Sequence, residues 1–331
     1  MKIKRLVLLA CLAAVLSMVS ACDKDKDPEG GEIIVQGNTL AEKLDWVKNY
    51  AEGGKTYTLE VSSDENFSWG ISFRETSYSG NITTVKLIGI GGIKTISISP
   101  VGTLFDIGYN YTLILDENIV LKGTENNNAP LVKVAYSGTL IMNNGSKITG
   151  NSSSSYYGGG VYVGGGTFTM NGGEISSNSD KSATYHGDGG GVYVDGGTFT
   201  MNGGTISGNT AGDWGGGVYV GGGTFTMTGG TISGNINQGP SSLGGGVYVR
   251  GASTFNKTGG IITGYSSDTE NGNVVKNSSG VVQSNKGHAV YVSGYNNISL
   301  YKDTTAGQGD NLTYISHNGE QPPTISGAWD E

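Results

Sequence analysis

Short runs in which apolar and polar residues alternate recur along the middle of the chain. One block, residues 158–178, contains VYV, TFTM and EIS, and glycines separate each run from the next. The block returns at residues 189–209 and 215–235, and in altered form from residue 244. A period of two predicts short β-strands with one buried face, and the glycines predict tight turns between them.

The alternation also predicts which side chains face the core. In each block we expect the valines of VYV, the Phe and Met of TFTM and the following Ile to point inward, and the tyrosine to point outward. In the first block the inward set is Val161, Val163, Phe168, Met170 and Ile175. A weaker upstream copy has Lys133 at the tyrosine position, which supports the outward direction because an unpaired charge is costly inside a core.

The spacing between the copies varies, but the variation lies at one place. The copies begin 31, 26 and 29 residues apart, and the shared block ends at an asparagine each time. A repeated unit of three strands at this period is typical of a solenoid, in which each turn completes the core of its neighbour. We therefore predict an all-β protein, a single-stranded parallel β-helix of about eight to ten turns, with the variable loops on one edge.

Stacking places equivalent residues of neighbouring turns about 4.8 Å apart. The outward tyrosines should then form one column, which consists of Tyr162, Tyr193, Tyr219 and Tyr248. The asparagines that end the blocks should form a second column, in which side-chain amides hydrogen-bond along the axis: Asn151, Asn178, Asn209 and Asn235.

Residues 39–52 have a helical period instead. Thr39 and Glu42 fit a capping box, and one apolar stripe is formed by Leu40, Leu44, Val47 and Ala51. We predict a short amphipathic helix that covers the first turn; a helix that binds a partner is the alternative. The β-helix domain is expected to run from 39 to 331, with regular glycine-rich repeats over about 131–264 and irregular turns over 265–331.

The chain begins with a segment that stands apart from this fold. Lys2, Lys4 and Arg5 precede an apolar run that is short for a membrane span, and VSAC follows at residues 19–22. This segment resembles a bacterial lipoprotein signal, with an ordinary secretory signal as the alternative. The resemblance implies that residues 1–21 are removed, that Cys22 carries the lipid (palmitate among its acyl chains), and that residues 22–38 form an acidic tether at the outer membrane or cell surface.

Composition and charge exclude several further classes of protein and partner. The 59 glycines follow no triplet period, which excludes collagen, and the β-branched and aromatic residues in fixed register disfavour disorder. Cys11 and Cys22 are the two cysteines, so the mature chain has no disulfide partner and no thiolate metal site. Loss of the first segment lowers the formal net charge from −8 to −11, and we expect no nucleic-acid partner.

The blocks resemble the repeats of the polymorphic outer membrane protein family, whose signatures are GGA[ILV] and FxxN. The first signature appears here as GGGV at residues 158, 189, 215 and 244, and Ile175, Ile206 and Ile232 stand where that family has Phe. The asparagine column resembles that of pectate-lyase-like β-helices. These resemblances imply a right-handed, adhesin-like β-helix at the cell surface. That family typically ends in a membrane barrel, for which this chain has no room, so lipidation at Cys22 would replace it.

Candidate catalytic groups are few and scattered. Polysaccharide lyases and hydrolases also use β-helices, and they need clustered or paired carboxylates. The plausible acids are Glu174, Asp188 and Asp195, which fall on different parts of the repeat, and no histidine has metal-ligand spacing to another. We therefore expect no catalysis, no metal and no cofactor, and keep a carbohydrate-active enzyme as the alternative.

The variable loops are the favoured binding site. They carry the aromatic residues Tyr156, Tyr157, Tyr185, His186 and Trp214. Loops on a rigid scaffold often hold binding residues, and exposed aromatic rings suit sugars or protein partners. We predict adhesion to a glycan or a host surface protein through this edge. The alternative is that these aromatics fold back and cover apolar surface of the coil.

Overall fold

Parallel strands stack in register along the length of the repeat region. The computed structural model describes residues 32–74, 82–155, 157–181, 187–294, 299–316 and 324–330. Within these ranges the chain forms a right-handed parallel β-solenoid of about eight turns with one helix. The predicted fold class is confirmed.

Short strands follow one another along almost the whole described chain. The N-terminal part contains β1 (Glu32–Ile34), α1 (Leu40–Tyr50), β2 (Thr56–Val61), β3 (Glu65–Phe67), β4 (Ile71–Phe73), β5 (Thr83–Gly89), β6 (Lys94–Ile98), β7 (Phe105–Ile107), β8 (Tyr111–Leu115) and β9 (Ile119–Lys122). The next turns contain β10 (Val132–Val134), β11 (Thr139–Met142), β12 (Lys147–Thr149), β13 (Ser152–Ser153), β14 (Val161–Val163), β15 (Thr167–Met170), β16 (Glu174–Ser176), β17 (Ser179–Asp180), β18 (Val192–Val194), β19 (Thr198–Met201), β20 (Thr205–Ser207) and β21 (Thr210–Ala211). The last part contains β22 (Val218–Val220), β23 (Thr224–Met227), β24 (Thr231–Ser233), β25 (Ile236–Gln238), β26 (Val247–Arg250), β27 (Thr254–Lys257), β28 (Ile261–Ile262), β29 (Val274–Lys276), β30 (Val290–Ser293), β31 (Leu300–Lys302), β32 (Leu312–Ile315) and β33 (Thr324–Gly327).

Each complete turn contributes one strand to each of three long sheets. Sheet A has the order β1-β2-β5-β8-β11-β15-β19-β23-β27-β32-β33. Sheet B has the order β3-β6-β9-β12-β16-β20-β24-β28, and sheet C has the order β4-β7-β10-β14-β18-β22-β26-β30-β31. A fourth, short sheet D contains β13, β17, β21, β25 and β29, and it was not predicted from the sequence. Several of its strands have two residues, which is too few for an alternation to be recognised.

Identical residues of successive turns lie side by side in the core. Phe168 pairs with Phe199 and Phe199 with Phe225, and the ring centroids are 4.7 and 4.8 Å apart with nearly parallel planes. The side chains predicted to point inward in the first block are all fully buried. The period-two pattern therefore predicts the inner face of every regular strand correctly.

The asparagine column lies inside the corner between sheets B and D. Asn209 shows the repeated pattern: its Oδ1 accepts from the backbone N–H and the side-chain Nδ2 of Asn178, at 3.0 and 3.2 Å. Its Nδ2 donates to Asn235 Oδ1 and to the carbonyl oxygen of Ile175, both at 2.9 Å. The column extends one step beyond the predicted set at each end, to Asn127 and Asn273. The buried Asn209 amide thus satisfies two backbone groups of the preceding turn and links them to the asparagine of the next turn.

The predicted capping helix is present and slightly shorter than expected. It runs over Leu40–Tyr50 rather than 39–52, and Thr39 and Glu42 form the capping box. The apolar stripe belongs to the main core through Leu40, Leu44 and Val47. The helix therefore closes the first turn of the solenoid. Among the described residues, no helix has the length and apolar character needed to cross a membrane.

The C-terminal part differs from the expected irregular turns over 265–331. After β30 the chain reverses, and β31 pairs antiparallel with β30, β32 with β27, and β33 with β32. Lys257 ends the inward methionine column next to Met227 and is buried, and its Nζ donates to the carbonyl oxygens of Gly307 and Asp310 at 2.6 and 2.7 Å. The antiparallel strands therefore cover the last turn. Sequence alternation alone does not show strand direction.

We expect Asn209→Ala to lower the free energy of unfolding by about 2–4 kcal/mol, because it removes the side-chain partner of the buried Asn178 N–H and Ile175 carbonyl groups in the preceding turn. Asn202→Ala is the matched control: Asn202 is exposed, and its Nδ2 donates to Asn171 Oδ1 at 3.1 Å. This control should cost less than about 1 kcal/mol. Denaturant unfolding measures the free energy of unfolding of both variants. Equal losses of stability would show that the buried asparagine column contributes no more than the exposed Asn202–Asn171 contact.

Candidate functional site

The outward side chains of sheet C form one continuous column. In register it consists of Ser72, Asp106, Lys133, Tyr162, Tyr193, Tyr219, Tyr248, Tyr291 and Tyr301. The predicted column of four tyrosines therefore continues through two more strands, the parallel β30 and the antiparallel β31. At its other end it gives way to a lysine and an aspartate.

The tyrosines face away from the core, but they are not exposed as an outer column would be. Tyr162, Tyr193, Tyr219 and Tyr248 are 9, 3, 2 and 5 % exposed and form a cluster separate from the main core. Trp214 packs over two of them, with its ring 5.4 Å from that of Tyr248 and 6.0 Å from that of Tyr219. The alternation gave the direction of these side chains correctly. It could not show that a loop returns to cover them.

The loop residues predicted to bind a ligand lie in different environments in the structure. Trp214 pairs through single β-bridges with Asp188 and Leu243 and packs on the tyrosine column, so the interpretation that loop aromatics fold back describes it. Tyr157 is 48 % exposed, and its ring lies 4.9 Å from that of Tyr162. Tyr156, Tyr185 and His186 lie outside the described residues, as does Cys22. Tyr157 is thus the predicted binding residue that the structure shows at the surface.

Tyr157 borders a groove at the lysine end of the sheet C column. The groove has a volume of about 340 Å³, which is in the range of small-ligand sites. Three of its tyrosines are well exposed, Tyr109 by 45 %, Tyr136 by 63 % and Tyr157 by 48 %. We call this site the tyrosine groove; it is lined by Arg74, Gly108, Tyr109, Lys133, Ala135, Tyr136, Tyr157, Tyr162 and Gly164.

Tyr109 and Tyr136 were not identified from the sequence. Each follows a sheet C strand by two residues, at the corner where the regular repeats have glycines, and their ring centroids are 5.7 Å apart. Glycines make room for the neighbouring side chains: a Cβ atom at Gly164 would lie 2.4 Å from the ring of Tyr162, and one at Gly108 would lie 3.2 Å from Arg74 Cγ. Aromatic residues at an otherwise glycine corner were the signal that could have found this site.

Two cations, Arg74 and Lys133, line the tyrosine groove, and Asp106 lies next to both of them outside the lining. Arg74 Nη2 donates to both carboxylate oxygens of Asp106, at 2.7 and 2.5 Å. Lys133 is the residue beside Asp106 on the adjacent strand and is half-buried. It makes no hydrogen bond or ion pair with any residue that the structure describes. The charge of Asp106 is thus compensated by Arg74, and the charge of Lys133 is not.

The three predicted acids lie on different elements. Glu174 forms an ion pair with Lys147 on sheet B at 2.9 Å, and Asp195 accepts a hydrogen bond from the Tyr162 hydroxyl at 3.0 Å in a corner after sheet C. Asp188 lies in the loop before sheet C and is fully buried. Within the described ranges, no three His, Cys, Asp or Glu side chains form a group suited to a metal ion.

Asp188 has an unusual environment for a carboxylate. Neither of its oxygens has a hydrogen bond of normal geometry. Burial, followed by the negative charges of Asp180 and Asp213, raises the pKa of Asp188 to about 8, and the nearby Trp214 backbone and Arg250 offset only part of this effect. Asp188 is therefore mostly protonated at neutral pH, and it lies behind Trp214 rather than in the tyrosine groove.

Comparison of the chain with protein-family models, curated proteins and solved structures finds no match. The residues of the tyrosine groove are therefore the basis for a functional inference.

We expect the stability of the protein to depend on pH through Asp188. An unfolded aspartate has a pKa of about 3.9, so the folded state retains a proton that the unfolded state loses between that pH and about 8. The stability from this group is complete below about pH 4 and is lost as pH rises to about 8, at up to about 1.4 kcal/mol per pH unit. In urea unfolding from pH 5 to 9, Asp188→Asn should gain stability relative to the natural protein as pH rises.

The control for this experiment is Asp45→Asn, the same change at an exposed position of α1. A difference between Asp188→Asn and the natural protein that stays constant from pH 5 to 9 would contradict the assignment.

Proposed function

We propose that this chain is a lipid-anchored surface protein whose β-helix binds a saccharide in the tyrosine groove and serves adhesion without catalysis. The observation that carries the proposal is the convergence of three exposed tyrosines, from consecutive turns, on one concave site. Elsewhere on the described outer face of sheet C, the tyrosines of the regular turns are covered.

The chemistry of tyrosine favours a saccharide. A tyrosine ring offers an apolar face on which the C–H face of a sugar can pack, and its hydroxyl can hydrogen-bond to sugar hydroxyls. Tyr109 and Tyr136 lie at corners two residues after hydrogen-bonded strands, so little backbone freedom remains to be lost there on binding. Tyr109 and Tyr136 lie one turn apart, which suits successive units of an oligosaccharide better than a single compact molecule.

The absence of catalysis is also part of the proposal. The described residues that line the groove include no carboxylate and no histidine. Glu174 and Asp195 are held in other contacts, and Asp188 is buried, so none of the three acids named from the sequence faces the groove. Binding therefore explains the described lining better than hydrolysis or elimination does.

The arrangement of the chain agrees with attachment at its N-terminal end. The described structure begins at Glu32, where β1 forms one edge of sheet A, and α1 covers the same end of the solenoid. A lipid on Cys22 would hold this end toward the membrane. The solenoid fold is the one implied by the resemblance to polymorphic outer membrane protein repeats, and we propose a similar surface role.

Binding is tested with the double variant Tyr109→Ala and Tyr136→Ala. We expect its affinity for saccharides on a glycan array to fall by about tenfold or more, because it removes two of the three exposed rings. Tyr50→Ala is the control, since Tyr50 is 66 % exposed on α1, away from the groove. The melting temperature should not change much in either variant. Binding that survives the double change would exclude the groove as the binding site.

The anchor is tested with Cys22→Ala in intact cells of a diderm bacterium. The natural chain should be recovered with membranes, and protease treatment of intact cells should release a fragment of it. The Cys22→Ala protein should lose its membrane association because the acylated thiol is absent. Protection of the natural chain from protease would place it away from the outer surface and contradict the surface role.

A further inference from the structure

We infer that the tyrosine groove selects an anionic saccharide, whose carboxylate or sulfate group pairs with the Lys133 ammonium. This inference rests on the proposed function, because it names the class of saccharide that the same groove would bind.

Lys133 carries a charge that its neighbours do not compensate. On the sheet C column it lies between Asp106 on one side and Tyr162 on the other. Arg74 already bonds to both oxygens of Asp106, and the Tyr162 hydroxyl donates to Asp195. Lys133 therefore has no anionic partner among the described residues, although it is half-buried at the wall of the groove.

The charge of the groove is opposite to that of the whole chain. The chain carries 28 acidic and 20 basic residues, so its surface as a whole repels anions. The groove has Lys133 and Arg74 in its lining and no carboxylate among its described lining residues. With Asp106 compensated by Arg74, one positive charge remains among the described lining residues. An anion in a partly enclosed site pairs with it more strongly than at an open surface, because less water screens the pair.

The cation and the aromatic surface belong to the same turns. In the regular turns the column residue is tyrosine and the corner residue is glycine, as at Tyr193 with Gly196 and Tyr219 with Gly222. In the turn of β10 the column residue is Lys133 and the corner carries Tyr136. Lys133 and Tyr136 both line the tyrosine groove. Their joint occurrence is what a site for a charged sugar requires.

The test uses an immobilised panel of oligosaccharides in matched pairs. Each uronic-acid oligosaccharide is paired with its carboxyl-reduced neutral form, and each sulfated one with its desulfated form. We expect the natural protein to prefer the anionic members, and Lys133→Met to weaken that binding by about tenfold or more through loss of a charged contact. Lys133→Arg should retain the preference. The preference itself should diminish at high salt.

Lys122→Met is the matched control, because Lys122 is exposed at the end of β9 in sheet B. Tyr136→Ala should weaken binding to both members of each pair. The natural protein could instead bind the anionic and neutral members equally, with binding lost in Tyr136→Ala and unchanged in Lys133→Met. That result would overturn the anionic preference but would still support a saccharide site in the groove. No binding to any member, or binding unaffected by Tyr136→Ala, would overturn both. A preference within the uronic-acid pairs identifies the bound group as a carboxylate, and a preference within the sulfated pairs identifies it as a sulfate.

Discussion

The structure depends on in-register backbone hydrogen bonding between equivalent strands of successive turns. Because side chains alternate between the two faces of a strand, a shift of one residue would turn every inward side chain outward. Apolar residues must therefore recur at the inward positions, as Leu140, Phe168 and Phe199 do. Changes in length occur where a strand ends, whereas an outward position within a strand can change its residue type, as Lys133 does opposite Tyr162. This constraint is why the variable loops and the added corner tyrosines lie between strands.

The same constraint explains what could be predicted from the sequence. Val161, Phe168 and Ile175 were assigned to the core because strict repetition and a period of two leave one consistent solution. The asparagine column followed from the same repetition, but Asn127 and Asn273 were missed. Asn127 lies in a run of asparagines, and Asn273 follows a long insertion, so neither stands at a recognisable distance from the regular blocks.

The unpredicted features depend on contacts between distant segments. Trp214 returns from a loop and packs over Tyr219 and Tyr248 of the tyrosine column, and no local pattern encodes that contact. The antiparallel closing strands have the same alternation as parallel ones. Binding was predicted on the segments whose length varies, and one of these segments contributes Tyr157 to the tyrosine groove. Tyr109 and Tyr136 were missed because they lie at corners of constant length, where only the residue type departs from the glycine of the regular turns.

The buried ammonium of Lys257 has a consequence for assembly. A solenoid with open ends can grow by adding the first turn of another molecule to its own last turn, which is a route to fibres. Here the final position of the methionine column holds a charge, and that charge is bound to carbonyl oxygens of the same chain. A second molecule that stacked there would have to displace those bonds and bury the charge without them. These intrachain bonds of Lys257 therefore disfavour end-to-end stacking of a second molecule on this turn.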